Sequence, residues 1–440
     1  MNMHNNVCFI DNFQRTPVFE KVSENFDKKN TFWITLNKNV FKSLKENFLE
    51  QNILYLNKYT KKKHIRFKNE KKLNEIYLSD RILREKGKLG LHFLVNIESN
   101  IFKFIKKNKI KLIIGEFTWG HELITFRIIK NNNLNCRYLN IQPLRIPYSR
   151  SGFFTEEDQK TLINIENKNI KKKFDQKKYN LEVKLRSKKK IQNMLKLPLK
   201  IFNRNFFDRS DIFYISKINK ILKNLKLIKN SFFYKLIKKE KEIINKKKFN
   251  ILYALQVQPE AGSDVKARYY ENQKELIFNI YKTLGNNACL YIKEHNAGVG
   301  LRNINFYKRL LKYPNIFILD ENYDTNKGIK NFNLIISQAG TIAYEAAIKK
   351  ITSFTFANCF FNKLKNCHKI NYEDLKNCKN IESLLTLKNK DNKNKLSIKD
   401  FKKFASKRSF EGIISNTITN PKILNENNIK TLSNEIYKLI

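Results

Sequence analysis

The stretch NLIISQAGTIAYEAAIKK, residues 333–350, changes character twice. Leu334, Ile335 and Ile336 form an apolar run suited to a buried strand, and residues 337–341 are small or polar. The remainder repeats apolar residues at helical spacing around a single acid, Glu345. Strand, tight turn and helix is the unit of doubly wound α/β domains, where ligands meet the carboxyl ends of the strands. Thr341 and Glu345 lie four residues apart and share one helix face, next to the amides that a helix start leaves unpaired. Ile342, Ala343, Ala346 and Ala347 make a companion face small enough to pack closely on a sheet. Glu345 then either complements the helix dipole or accepts hydrogen bonds from a ligand's hydroxyls.

The same alternation extends outward. KFNILYALQVQ, ACLYIKEH, NIFILD and TSFTF read as strands, and ARYYENQKELIFNIYKTL and INFYKRLLK as helices between them. Residues 248–371 are thus expected to form a doubly wound domain. Residues 1–157 repeat the pattern, with strands VCFID, TFWITL, ILYL, IKLIIGEFT and CRYLNIQ. The first helix, TPVFEKVSENF, is expected to be capped by Thr16, with Pro17 at its first position. Residues 158–247 are rich in Lys and Asn and read as amphipathic helices joining the halves, with one basic face. That face suits either a solvated connector or an anionic membrane surface. Residues 372–440 read as a polar helical tail packing back across the first domain. The expected fold class is α/β: two doubly wound, Rossmann-like domains facing across a cleft, with a helical basic insertion between them.

Composition bounds the function. Of 440 residues, 41% are hydrophobic and 12% aromatic, which is a globular composition. With 87 Lys+Arg against 40 Asp+Glu, the net charge is +47, which attracts nucleic acid, anionic lipid or phosphorylated substrates. Codon drift towards A and T accounts for the same lysines, so the charge alone does not assign nucleic-acid binding. Cys8, Cys136, Cys289, Cys359, Cys367 and Cys378 include no C-x-x-C pair, which fits neither a zinc site nor a disulfide framework. The N-terminus lacks a basic segment followed by an apolar core, and no apolar run is long enough to span a membrane. The expectation is a cytoplasmic protein, soluble or peripheral at the inner membrane face.

Four further clusters sit where strands end. GEFTWGHE places Glu116 beyond a strand and His121 and Glu122 at a helix start; Glu116 could equally cap that helix. IQPLRIPYSRSGFF offers Gln142, Arg145 and Arg150 in a loop, where the two arginines could be ordinary surface charges. QVQPEAGSD offers Gln256, Gln258 and Glu260, and YIKEHNAGVG offers Lys293, Glu294 and His295. Lone histidines are commonly structural, and Glu260 could simply open a turn after Pro259. Co-location at one sheet edge favours the functional reading. There is no P-loop and no G-x-G-x-x-G after the first strand, which argues against nucleotide hydrolysis and NAD chemistry. No D-x-D pair supports a metal-held sugar nucleotide.

LQVQPEAGSDV, LYIKEHNAGVGLRNINFYKRL and ISQAGTIAYEAAIKK, in that order, resemble the bacterial capsule polysaccharide biosynthesis family, similar to enzymes that add Kdo-type acidic sugars to lipid-linked acceptors. GEFTWGHELITFRI and LNIQPLRIPYSRSGFF resemble the first half of the same proteins. The resemblance implies a metal-independent GT-B glycosyltransferase without a cofactor, whose co-substrate is a nucleotide sugar, with CMP-activated Kdo-like donors among the choices. It puts an acceptor-side domain at 1–157 and a nucleotide-sugar domain at 248–371, with 158–247 the basic connector and 372–440 the tail. By motif, Lys293, Glu294 and His295 would face the donor phosphate, and Thr341 and Glu345 would hold the nucleotide, with Gln258, Ser337 and Gly340 beside them. Glu260 or Glu116 would act as acid or base, and His121, Glu122, Arg145 and Arg150 would line the acceptor side. Asn296 and Gln338 depart from the family pattern, at positions where proline and a smaller residue are usual.

Three other readings compete: a sugar-nucleotide epimerase on the same fold, a non-catalytic polysaccharide assembly or export factor, and a nucleic-acid-binding protein. The last predicts steeply salt-dependent binding, but no RRM, KH or helix-turn-helix signature accompanies the charge.

Overall fold

The computed structural model describes residues 6–59, 70–144, 150–165, 208–243, 247–417 and 420–440. Its strands, in chain order, are β1 (Val7–Ile10), β2 (Thr31–Thr35), β3 (Ile53–Tyr55), β4 (Leu112–Gly115), β5 (Arg137–Pro143), β6 (Arg150–Phe154), β7 (Phe249–Ala254), β8 (Ala288–Lys293), β9 (Ile316–Leu319), β10 (Leu334–Ser337), β11 (Thr352–Thr355), β12 (Cys367–Lys369) and β13 (Phe410–Glu411). The chain divides into two compact units. One comprises Met1–Glu157, Thr161–Ser216 and Phe404–Ile440; the other comprises Asp158–Lys160 and Lys217–Lys403.

In the first unit the sheet runs β13-β6-β5-β4-β1-β2-β3. The strands from β1 to β5 pair in parallel, while β6 and β13 are antiparallel additions at the edge. Every residue of VCFI, TFWIT and LIIG is buried, as expected of parallel strands covered on both faces. Phe9 stacks on Trp33 at 5.4 Å between ring centroids. The helix Glu426–Tyr437 contributes Ile429, Leu432 and Ile436 to the same core, so the C-terminal segment completes this unit.

The second unit's sheet runs β12-β11-β10-β7-β8-β9 and is parallel throughout. Counted from its own first strand, that order is 3-2-1-4-5-6, the doubly wound arrangement, and the chain reverses direction across the sheet between β7 and β10. The first unit has the same order over β1 to β5, with its switch point between β1 and β4. Both sheets are therefore doubly wound.

Local departures have clear causes. Arg150, expected in a loop, opens β6, which folds back on β5 with Gln142 opposite Gly152. ARYYENQKELIFNIYKTL is not one helix, because the Asn272 side chain accepts from Glu275 N and caps a new helix at Gln273–Tyr281. Helical turns at Gly262–Lys266 and Arg268–Tyr270 precede it. Thr16 lies inside its helix, Thr16–Ser23, and its hydroxyl donates to Asp11 Oδ1 at 2.6 Å. Within the connector, the amphipathic readings of ENKNIKKKFDQKK and RSKKKIQNMLKL lie outside the described residues. Its described part includes the helix Lys217–Lys235.

Candidate functional site

In the second unit, the loops after β7, β8 and β10 meet at the switch point. The Gln256 side chain lies beside two glycines. Its Oε1 is 3.1 Å from where a Cβ on Gly262 would sit, and its Nε2 occupies the place a Cβ on Gly340 would need. The QVQPEAGSD loop and the SQAGT turn are therefore in contact through one amide and two absent side chains. Ser337 Oγ shapes the turn by accepting from Gly340 N at 3.0 Å. The carbonyl of Gln338 accepts from Phe356 N and Ala357 N, which pins the turn to the end of β11. The helix Thr341–Ile348 starts from extended backbone at Gly340 and has no acid in its first turn. Thr341 and Glu345 are half-buried on that helix.

Glu294, at the end of β8, is 1% exposed. Its carboxylate accepts from Arg302 Nη1 at 2.7 and 2.6 Å, from His295 N at 2.8 Å and from the Tyr307 hydroxyl. Burial and the Glu294 charge raise the Tyr307 pKa, so the phenol remains a donor. Those partners take up the carboxylate, so Glu294, expected to face a donor phosphate, is a buried scaffold for its neighbours. Arg302 also donates through Nη2 to Gln256 O, joining the β7 and β8 loops. Gln273 fastens the β7 loop again, accepting from Gln256 N at 2.9 Å and donating to Gln256 O at 3.1 Å. Gln258 donates to Asp264 Oδ1 at 3.2 Å.

His295 is exposed, and its Nδ1 accepts from Ala297 N at 3.0 Å. In the neutral ring the proton is therefore on Nε2. Lys293 Nζ donates to Glu321 O at 3.0 Å. Burial lowers the Lys293 pKa, with Glu294, Glu321, Asp320 and Asp324 opposing. Glu260 is exposed, its carbonyl opens the next helical turn, and its carboxylate makes no hydrogen bond among the described residues. Among those residues, no group of three or more His, Cys, Asp or Glu is placed to hold a metal ion.

The first unit carries its own polar cluster at the β1–β4 switch point. Glu116 is ion-paired with Arg15 and accepts from Gln142 Nε2 at 3.2 Å and Thr118 Oγ1 at 3.0 Å. Arg15 also donates to Ile141 O at 2.9 Å and Gln142 Oε1 at 3.1 Å. Glu122 is fully buried, and accepts from Glu116 N (2.8 Å), Trp119 N (3.0 Å), Thr118 N (3.1 Å) and Asn12 Nδ2 (2.9 Å). Burial and the Glu116 charge push its pKa up to about 8, against the hydrogen bonds from Asn12, Glu116 N and Trp119 N. His121 is equally buried, with Nε2 2.7 Å from Asp11 O, and burial lowers its pKa. Because a carbonyl can only accept, the ring's proton is on Nε2.

The acceptor-side expectation changes at three positions. His121 and Glu122 are interior residues that bind the β1 and β4 ends together, with no side-chain surface for an acceptor. Arg150 is also interior: it donates through Nε to Ser409 Oγ at 2.8 Å and through Nη2 to Ser409 O, anchoring the segment that forms β13. Arg145 lies outside the described residues. Arg15, Gln273 and Arg302 were missed in the sequence because nothing local separates them from the other basic and polar residues. Their partners are 101, 17 and 46 residues away for the contacts Arg15–Glu116, Gln273–Gln256 and Arg302–Gln256.

No family model and no curated sequence matches the chain. Among solved structures, the chain is similar to a UDP-GlcNAc 2-epimerase of Methanocaldococcus jannaschii in complex with UDP-GlcNAc and UDP, at 13% identity, covering 87% of this chain and 91% of that one, with a TM-score of 0.28. It is similar to a Thermosulfurimonas dismutans KpsC, a beta Kdo 2,7 transferase, at 11% identity over 66% of this chain and 78% of that one, with a TM-score of 0.33. A UDP-GlcNAc 2-epimerase of Neisseria meningitidis bound to UDP-GlcNAc is 10% identical, covering 98% and 99%, with a TM-score of 0.30. At these scores the likenesses carry no weight, and the functional reading rests on the residues of this chain.

Proposed function

We propose that the chain is a glycosyltransferase of capsule or surface polysaccharide synthesis, taking a nucleotide-sugar donor at the second unit's β7–β10 edge and a glycan or lipid-linked acceptor. The supporting observation is the contact of Gln256 with Gly340 and Gly262 at the switch point of a 3-2-1-4-5-6 sheet. Open α/β sheets bind ligands at that position, and glycines there let a ligand approach backbone. Glycosyl transfer forms a bond from the acceptor oxygen to the sugar carbon and breaks the bond from that carbon to the donor phosphate. Negative charge grows on the departing phosphate while the sugar carbon becomes cation-like. The helix start after Gly340, Lys293 and the Nε2 proton of His295 suit the phosphate. Glu345 suits the ribose hydroxyls, and Glu260, whose carboxylate makes no hydrogen bond among the described residues, suits removal of the acceptor's proton. Glu116 is the weaker candidate, since Arg15, Gln142 and Thr118 already bind it. The first unit is read as the acceptor side and the cytoplasmic membrane face as the place of work.

A thermal-shift series with CMP, UDP, GDP and ADP tests this. One nucleotide is expected to stabilise the protein selectively, and indifference to all four would reject a donor site. The second reading, a sugar-nucleotide epimerase, would use the same β7–β10 edge of the 3-2-1-4-5-6 sheet for its nucleotide sugar. An epimerase converts its nucleotide sugar without an acceptor, so a product assay with and without acceptor separates the two.

A further inference from the structure

The helix Lys217–Lys235 has one face on the second unit and one in water. Inward, the Tyr234 ring packs on Tyr307 at 4.9 Å, and Asn230 Nδ2 donates to Gly300 O at 3.1 Å. Gly300 has φ +84°, and a Cβ there would collide with Ser231 Oγ, so helix and loop are in direct contact. Outward, Ile218, Leu222, Leu225 and Phe232 are 69%, 57%, 57% and 61% exposed. Their spacing of three, four and seven places them in one stripe along the helix, opposite Tyr234. The helix sequence KINKILKNLKLIKNSFFYK contains six lysines and no acid.

We infer that this helix lies flat on an anionic lipid surface, with the apolar stripe among the acyl chains and the lysines at the headgroups. This inference is independent of the donor reading, since it requires no catalysis. Bulky side chains standing outward in a row are unfavourable in water and favourable in the interfacial layer of a bilayer. Lys226 beside the stripe and Lys229 within it, between Leu225 and Phe232, are exposed, supply attraction to anionic headgroups and have stems long enough to reach them. A second copy of the chain fits less well, because self-pairing would set lysine-rich faces against each other. Nucleic acid would use the lysines and leave the aliphatic stripe in water. Among the described residues, no helix is long and apolar enough to cross a membrane, so the helix rests on the bilayer without spanning it.

The test is flotation of the full chain with phosphatidylcholine vesicles, with and without phosphatidylglycerol. Binding is expected only with the anionic lipid, is expected to weaken in high salt, and should fall at least about tenfold in L222Q/L225Q/F232Q. Those side chains are exposed, so circular dichroism and the unfolding midpoint of the variant should match the parent. Failure of the parent to float with anionic vesicles would overturn the inference, and so would equal flotation of the variant. Light scattering that shows a dimer lost in the same variant, with no flotation by the parent, would assign the stripe to self-association.

Discussion

Arg302 holds Glu294 through one guanidinium nitrogen placed 2.7 and 2.6 Å from the two carboxylate oxygens. Since Glu294 is 1% exposed, the pair stabilises chiefly by preventing a buried charge from standing alone. Arg302→Met should cost about 3–5 kcal/mol in urea unfolding. A loss under about 1 kcal/mol would place the pair with ordinary surface ion pairs.

Gly340→Ala tests the β7–β10 contact. The backbone at Gly340 (φ −77°, ψ 141°) accommodates alanine, so the added methyl acts by displacing Gln256 and by pressing on Ser337, whose Oγ and Cβ would lie 3.1 and 3.3 Å from it. The unfolding midpoint should stay near the parent's while the KM for the donor rises about tenfold, close to 1.4 kcal/mol of binding. An unchanged KM would separate the turn from donor binding.

Glu345→Ala should raise KM more than it lowers kcat, because a group that holds the nucleotide contributes equally to ground and transition states. A fall in kcat at constant KM would put Glu345 in the chemical step.

Glu260→Gln should lower kcat by about 10²–10⁴ if the carboxylate removes the acceptor's proton. The residue is exposed, so stability should change by no more than about 0.5 kcal/mol. Normal turnover with intact folding would leave proton removal to another group.

His368 gives the fold a pH dependence of known sign. It is 2% exposed, with Nδ1 3.1 Å from Lys395 Nζ. Burial, with Lys395 and Lys388 adding, pushes its pKa down to about 3. Only the unfolded chain therefore takes up this proton between the ordinary value of 6.5 and about 3. The stability contributed by the neutral ring is full above 6.5 and is lost as pH falls towards 3. His368→Phe should show a smaller drop in urea midpoint than the parent on going from about pH 7 to about pH 4, and parallel curves would refute the shift.

Much of this was legible locally. NLIIS, the SQAGT turn and the helix after it follow from a run of apolar residues, small turn residues and helical periodicity within one short window. The same signals located β1, β2, β4, β7, β8 and β9, and with them the loops carrying Glu116, Glu260 and His295. What was not legible depends on distant pairing. β13 is two residues long and exists only because β6 and the Arg150–Ser409 contact receive it. In the sequence Arg150 thus looks like a surface charge or an acceptor contact, while its partner Ser409 lies 259 residues further on. Arg302 likewise looked like one basic residue among many, and its meaning comes from Glu294 and Gln256 O. Charge by itself does not reveal whether a side chain is turned inward or outward.

The contact between Gly300 and the helix Lys217–Lys235 sets how this region can open. A loop with no Cβ at that point sits directly on Ser231, while Asn230 holds the Gly300 carbonyl and Tyr234 packs on the tyrosine that binds Glu294. Fraying the His295 loop alone would strand a buried carboxylate and an amide at once. The loop, the helix and the β7 end are accordingly expected to open as one cooperative unit, with their amides exchanging hydrogen at a common rate-limiting opening and not residue by residue.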